Sequence, residues 1–137
     1  MLLLYRASRL NVAELGRLPS GEWVDRARSD DAAAEPGVTV LRVEAGLFFA
    51  NSDHVRQTVL AHAREQGVHA VVIDAETIAF IDVSAAEMLH ALAGELERDG
   101  VELLVARDIG QVRDILRDED GDQRLFPSGE AAVTQAR

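Results

Sequence analysis

The sequence predicts an α/β fold: a mostly parallel central sheet, made mixed by one antiparallel strand at the N-terminus, with about four helices. Three observations lead there. Apolar runs rich in β-branched residues recur at Val38–Val43, Ala70–Asp74 and Val101–Ala106, and such continuous runs mark strands covered on both faces. Amphipathic segments alternate with them, which calls for parallel pairing through helical crossovers. The helix-to-strand connections are two or three residues long, short enough for tight packing. A chain of 137 residues that is 47% apolar can fill the core of one domain.

Val12–Leu15 reads as a short strand, and Gly16, Pro19, Ser20 and Gly21 follow as turn signals. No crossover helix separates it from Val38, so it enters antiparallel. Residues 21–37 are polar and alanine-rich, with Asp30-Asp31 and Glu35-Pro36-Gly37, and are expected to form a flexible loop that Trp23 pins to the body. Val38–Val43 is the central strand. After Leu47-Phe48-Phe49-Ala50, either Asn51 or Ser52 can cap a helix running to Gln66, with Gly67 as its stop. Val55, Val59, Leu60 and Ala63 fall on one side of that helix.

Ala70–Asp74 is the next strand, and the stretch Ile78 to Glu87 then turns through an aspartate into a second helix. Ser84-Ala85-Ala86-Glu87 fits a capping box with Ser84 as the N-cap. Ala85, Met88, Leu89, Leu92 and Leu96 supply the apolar stripe, and Gly100 ends the helix. Beyond the strand Val101–Ala106, a third helix is expected over Asp108–Arg117, then an acidic turn over Asp118–Asp122. Leu125-Phe126-Pro127 breaks the path, and Ser128 caps a last short helix bearing Ala131, Ala132 and Val133.

Composition removes several classes of function. The absence of cysteine rules out disulfides, thiolate catalysis and cysteine-based zinc sites. His54, His62, His69 and His90 lack metal-ligand spacing, so no metal site is predicted. A net charge of −10, with all fourteen basic residues arginine and none in a run, argues against nucleic acid as a partner. Met1–Leu4 is the only continuous apolar run at the N-terminus, far short of the roughly 20 residues a span requires. No direct membrane insertion and no signal peptide are expected.

In such a sheet, ligands gather at the carboxyl ends of the parallel strands. Three loops meet there, Glu44–Ser52, Ala75–Val83 and Arg107–Gly110, backed by helix N-termini that suit an anion. Phe48, Phe49, Asn51, Phe80, Asp82, Ser84 and Asp108 outline this candidate binding edge. Phe48, Phe49 and Phe80 read better as core or rim packing than as an exposed patch. Asp74 and Asp82 have no histidine, lysine or cysteine beside them to complete an acid–base pair, so no catalytic residue is assigned and the chain is read as a non-enzyme. Neither phosphate-loop motif occurs, which leaves a nucleotide without a sequence signature. Ser84 is either a plain cap or a phosphorylation site, where a charge of about −1.5 to −2 would meet a helix N-terminus.

Val71-Val72-Ile73-Asp74, followed by Phe80-Ile81-Asp82-x-Ser84 and an amphipathic helix, resembles the STAS domain. That domain is shared by anti-sigma factor antagonists and the cytoplasmic tails of SulP anion transporters. Tyr5–Arg9 with Ala13–Arg17, Val40–Val43 with Leu47–Asn51, and Leu125–Ser128 are similar to the transporter branch. The resemblance implies a STAS fold over residues 10–137, with residues 1–9 a remnant after the last transmembrane helix. It implies a non-catalytic regulatory domain of a sulfate or related anion transporter, at the cytoplasmic face of the plasma membrane. The partner would be the transmembrane domain of the same protein or, in a homodimer, a second copy. The alternatives it carries are an antagonist-like phosphoswitch through Ser84 and nucleotide sensing; no other cofactor is implied. Phosphorylated antagonists usually have a hydroxyl residue and a glycine where this chain has Val83 and Ala85.

Overall fold

The computed structural model describes residues 12–44, 49–78, 80–106, 125–126 and 129–136. Among the described residues, six strands form one sheet in the order β2-β1-β3-β4-β5-β6. They are β1 (Val12–Arg17), β2 (Trp23–Asp25), β3 (Val38–Val43), β4 (Ala70–Asp74), β5 (Glu102–Ala106) and β6 (Leu125–Phe126). β3, β4, β5 and β6 run parallel, while β1 is antiparallel to both β2 and β3. The mixed, mostly parallel sheet with an antiparallel N-terminal strand is therefore borne out. Among the described residues there are three helices, α1 (Phe49–Ala63), α2 (Val83–Arg98) and α3 (Gly129–Ala136). The helix expected over 108–117, the acidic turn after it, Ser128 and residues 1–11 lie outside the described residues.

Alternation along the strands sorts the core onto two faces. Leu41, Ile73 and Val105 stand side by side in one row, and Val40, Val72 and Leu104 form the next row on the opposite face. The first face is covered by α1, through Val55, Val59, Leu60 and Ala63, and by α2, through Ala85, Ala86, Leu89, Leu92, Ala93 and Leu96. Arg56 and Glu95 join the two helices at 2.8 Å. The second face is covered by Trp23 and by Ala132, Val133 and Ala136 of α3.

Several boundaries differ from the sequence reading for local reasons. β1 continues past Leu15 because Gly16 and Arg17 pair with Val24 and Trp23. Only glycine fits at position 16, where a Cβ would lie 2.8 Å from Arg26 Cγ and 2.9 Å from the Ala33 oxygen. The segment 21–37 is not wholly irregular, since it holds β2 and two isolated bridges, Arg17 with Ala33 and Glu35 with Val38. Trp23 is buried as the expected pin, and the Arg17 guanidinium lies 5.0 Å from its ring centroid. Leu125-Phe126 does not merely break the path but adds an edge strand to β5. α1 starts at Phe49, ahead of both proposed caps, and ends at Ala63. Asn51 is thus inside the first turn and only 1% exposed, a buried polar residue rather than an N-cap.

Candidate functional site

The site is the loop from β4 to α2, and its geometry starts at Asp74. This last residue of β4 stands beside Arg42 of β3 in the parallel register. Asp74 is 2% exposed. Its Oδ1 accepts the Glu76 N–H at 3.0 Å, and its Oδ2 lies 3.6 Å from Arg42 Nη2. A buried carboxylate needs such partners, and removing one of them would leave an uncompensated charge. The Asp74 side chain thereby shapes the turn, as expected of an aspartate at a strand end.

Three more bonds hold the loop down. The Ala75 N–H donates to the Ala106 oxygen at 2.7 Å, the Ile78 N–H to the Ala75 oxygen at 3.1 Å, and the Thr77 hydroxyl to the Val43 oxygen at 2.6 Å. Ile78 and Ile81 then bury their side chains in the first-face core. Phe80, beside Ile81, is 48% exposed, and Val83 is 67% exposed. The expectation that Phe80 packs into core or rim is therefore corrected: the buried isoleucines anchor the loop and leave the phenyl ring at the surface.

The helix cap is corrected as well. Asp82, in extended conformation at φ −91° and ψ 170°, is the N-cap of α2, and its Oδ1 accepts the Ala85 N–H at 2.8 Å. Aspartate caps as well as serine, and placing it there starts the helix at Val83. Ser84 becomes the second helical residue, exposed, and Glu87 is exposed without the capping-box role. The buried stripe contains the predicted Ala85, Leu89, Leu92 and Leu96 together with Ala86 and Ala93, while Met88 is half-buried.

The proposed edge residues therefore separate. Phe80, Asp82 and Ser84 come together at one joint. Asn51 is buried. Phe48 and Asp108 lie outside the described residues, as does the side chain of Phe49, whose backbone opens α1. Sequence reasoning missed Arg42, Thr77 and Val83 as parts of the site. Arg42 had a usable signal, being the one charged residue in a strand that is apolar but for Thr39. Chemically, the joint offers two exposed apolar side chains and one exposed hydroxyl at the electropositive start of α2. No group of three metal-ligating side chains occurs among the described residues.

Comparison with known proteins gives this joint a family. The profile of the STAS domain matches residues 31–128. The chain is 26% identical over 125 residues to the "probable sulfate transporter 3.4" of Arabidopsis thaliana, covering 83% of this chain and 19% of that protein. It thus spans about a fifth of the length of the curated relatives it matches. Among solved structures, the murine anion transporter Slc26a9 in its inward-facing state superposes with a TM-score of 0.86 at 24% identity, over 98% of this chain and 23% of that one. The phosphorylated Bacillus cell fate determinant SpoIIAA superposes with a TM-score of 0.61 at 15% identity, over 76% of this chain and 95% of that one. At these identities the structural matches speak to the fold, while the profile spans strands β3 to β6 and the whole joint, and so the chain belongs to the STAS domain family.

Proposed function

We infer that this chain is a non-catalytic regulatory module of a SulP-type transporter for sulfate or a related anion, placed at the cytoplasmic face of the membrane. It acts by docking the β4–α2 joint against the transporter's membrane part. The observation that carries this reading is the exposed pair Phe80 and Val83 on either side of the capping aspartate, Asp82. Burying apolar area against a partner is favourable by about 25 cal/mol per Å², and a rigidly held joint loses little conformational entropy on docking. The sulfate-transporter names of the relatives support the class of partner. Among the described residues no helix is long and apolar enough to cross a membrane. Deleting residues 10–137 from the transporter that carries them tests the reading. Sulfate uptake is expected to fall at an equal level of protein in the membrane; undiminished uptake would overturn it.

A second reading is favoured by one observation, the exposure of Ser84 in the first turn of α2. A phosphoryl group there is stabilised by the helix dipole and would place charge next to the exposed Val83, switching the docking surface. The fold shared with a protein solved in phosphorylated form supports it. Mass spectrometry of the chain purified from its own cells would show a phosphoryl increment on the peptide holding Ser84. An unmodified peptide under every growth condition would remove this reading.

A further inference from the structure

The loop from β4 to α2 is tied to a third element, β3, through the side chain of Thr77. Its hydroxyl donates to the oxygen of Val43, the last residue of β3, at 2.6 Å and across 34 positions in sequence. The parallel ladder explains why a side chain is needed there. β3 and β4 pair as far as Arg42 opposite Asp74. The next N–H along β4, that of Ala75, is turned toward β5, where it donates to the Ala106 oxygen at 2.7 Å. A residue has one backbone N–H, and in a strand it points to one neighbour, so the Val43 oxygen takes its bond from the Thr77 hydroxyl instead. That bond draws the loop over the end of β3.

We propose that Thr77 is the positioning residue of the joint: its hydroxyl sets the heading of the loop and thereby aims Phe80 at the membrane part of the transporter. The proposal rests on the docking role inferred above for the joint. Ile78 and Ile81 bury their side chains on either side of Phe80, but burial is non-directional, and it holds the loop down without fixing the direction in which the phenyl ring leaves the surface. A hydroxyl–carbonyl bond is directional, and this one lies three residues ahead of Phe80.

The bonds from Glu76 N–H to Asp74 Oδ1 at 3.0 Å and from Ile78 N–H to the Ala75 oxygen at 3.1 Å are local and shape the turn itself. The Thr77 bond has a rigid acceptor, since Val43 is buried in the first-face core and stands opposite Val12 of β1. Its donor is restricted too, because a β-branched side chain has few χ1 choices. Thr77 is an exposed residue, so packing in the core does not account for it.

The test compares Thr77→Val, which keeps the shape and removes the donor, with Thr77→Ser, which keeps the donor. In the 137-residue chain, amide hydrogen exchange at Ile78 should be about fivefold faster in Thr77→Val, the scale of one neutral hydrogen bond, and within about twofold of the parent in Thr77→Ser. In the transporter proposed to carry this domain, sulfate uptake at an equal level of protein in the membrane should fall several-fold with Thr77→Val and be restored in Thr77→Ser. Val83→Asp, measured alongside, separates this proposal from the docking reading. Uptake lowered by Val83→Asp but not by Thr77→Val overturns the positioning role and leaves docking in place. Full uptake with Val83→Asp removes docking, and the positioning role with it. Equal losses from Thr77→Val and Thr77→Ser, or Ile78 exchange at the parent's rate in Thr77→Val, would also overturn the proposal, because the hydroxyl would then not be what sets the loop.

Discussion

The two faces of the sheet share the same strands yet are closed by different means. On the first face, two helices of 15 and 16 residues lay leucine and valine stripes over Leu41, Ile73 and Val105. On the second, an eight-residue helix offers only alanines and one valine, and Trp23 arrives from a three-residue edge strand. The first face is held by large aliphatic side chains in continuous contact. The second is held by small side chains at close approach, with a histidine, His69, bonded to the helix end at Ala136. The difference teaches where stability and where adjustability reside in this domain, since regions with little buried apolar area open most readily.

Substitutions can break that contrast, beginning with the largest. Leu92→Ala on α2, buried in the first-face core, should cost about 3 kcal/mol of global stability in urea unfolding, from lost transfer energy plus a cavity. Val133→Ala on α3 should cost about 2 kcal/mol. If hydrogen exchange shows Val133→Ala loosening α3 alone while Leu92→Ala lowers protection everywhere, the faces differ as described. Equal, global effects from both would erase the distinction.

Smaller effects sharpen the account of the joint. Asp82→Ala should destabilise by about 1 kcal/mol by removing the α2 cap, whereas Ser84→Ala should stay within about 0.5 kcal/mol, as for an exposed residue with no capping bond. The reverse order in a pair of denaturant titrations would restore Ser84 as the cap. Smallest of all is Glu95→Gln, which breaks a half-exposed ion pair across the two first-face helices. It should change stability by only about 0.3 kcal/mol, and that little should vanish in high salt.

The contrast between faces also explains what was legible in the sequence. The first face could be read because Val55, Val59 and Leu60, and then Leu89, Leu92 and Leu96, repeat at helical spacing opposite β-branched runs. The second face gave weak signals. Trp23-Val24-Asp25 and Leu125-Phe126 are too short for any period to register, and their pairing depends on neighbours distant in sequence. At the joint, aspartate and serine are both good caps two residues apart, so local preference alone did not choose between them. The choice follows from tertiary packing, which buries Ala85 and Ala86 and leaves Val83 and Ser84 outside. Phe80 misled for a related reason: an aromatic residue between apolar neighbours reads as core, and only the burial of Ile78 and Ile81 leaves it at the surface. Arg42 was visible in its strand, but its partner Asp74 required the parallel register.

The central claim is that the exposed joint serves docking rather than folding, and Val83→Asp tests it most directly. Val83 is 67% exposed, and an acidic residue in the first helical turn is favoured by the dipole, so the isolated domain should unfold at the same denaturant concentration as the parent. In the transporter proposed to carry this domain, sulfate uptake is the readout, with the exposed α3 substitution Thr134→Asp as the control on the second face. Uptake should fall several-fold with Val83→Asp at an unchanged level of protein in the membrane, and hold with Thr134→Asp. Full uptake with Val83→Asp, or equal losses from both, would contradict the claim.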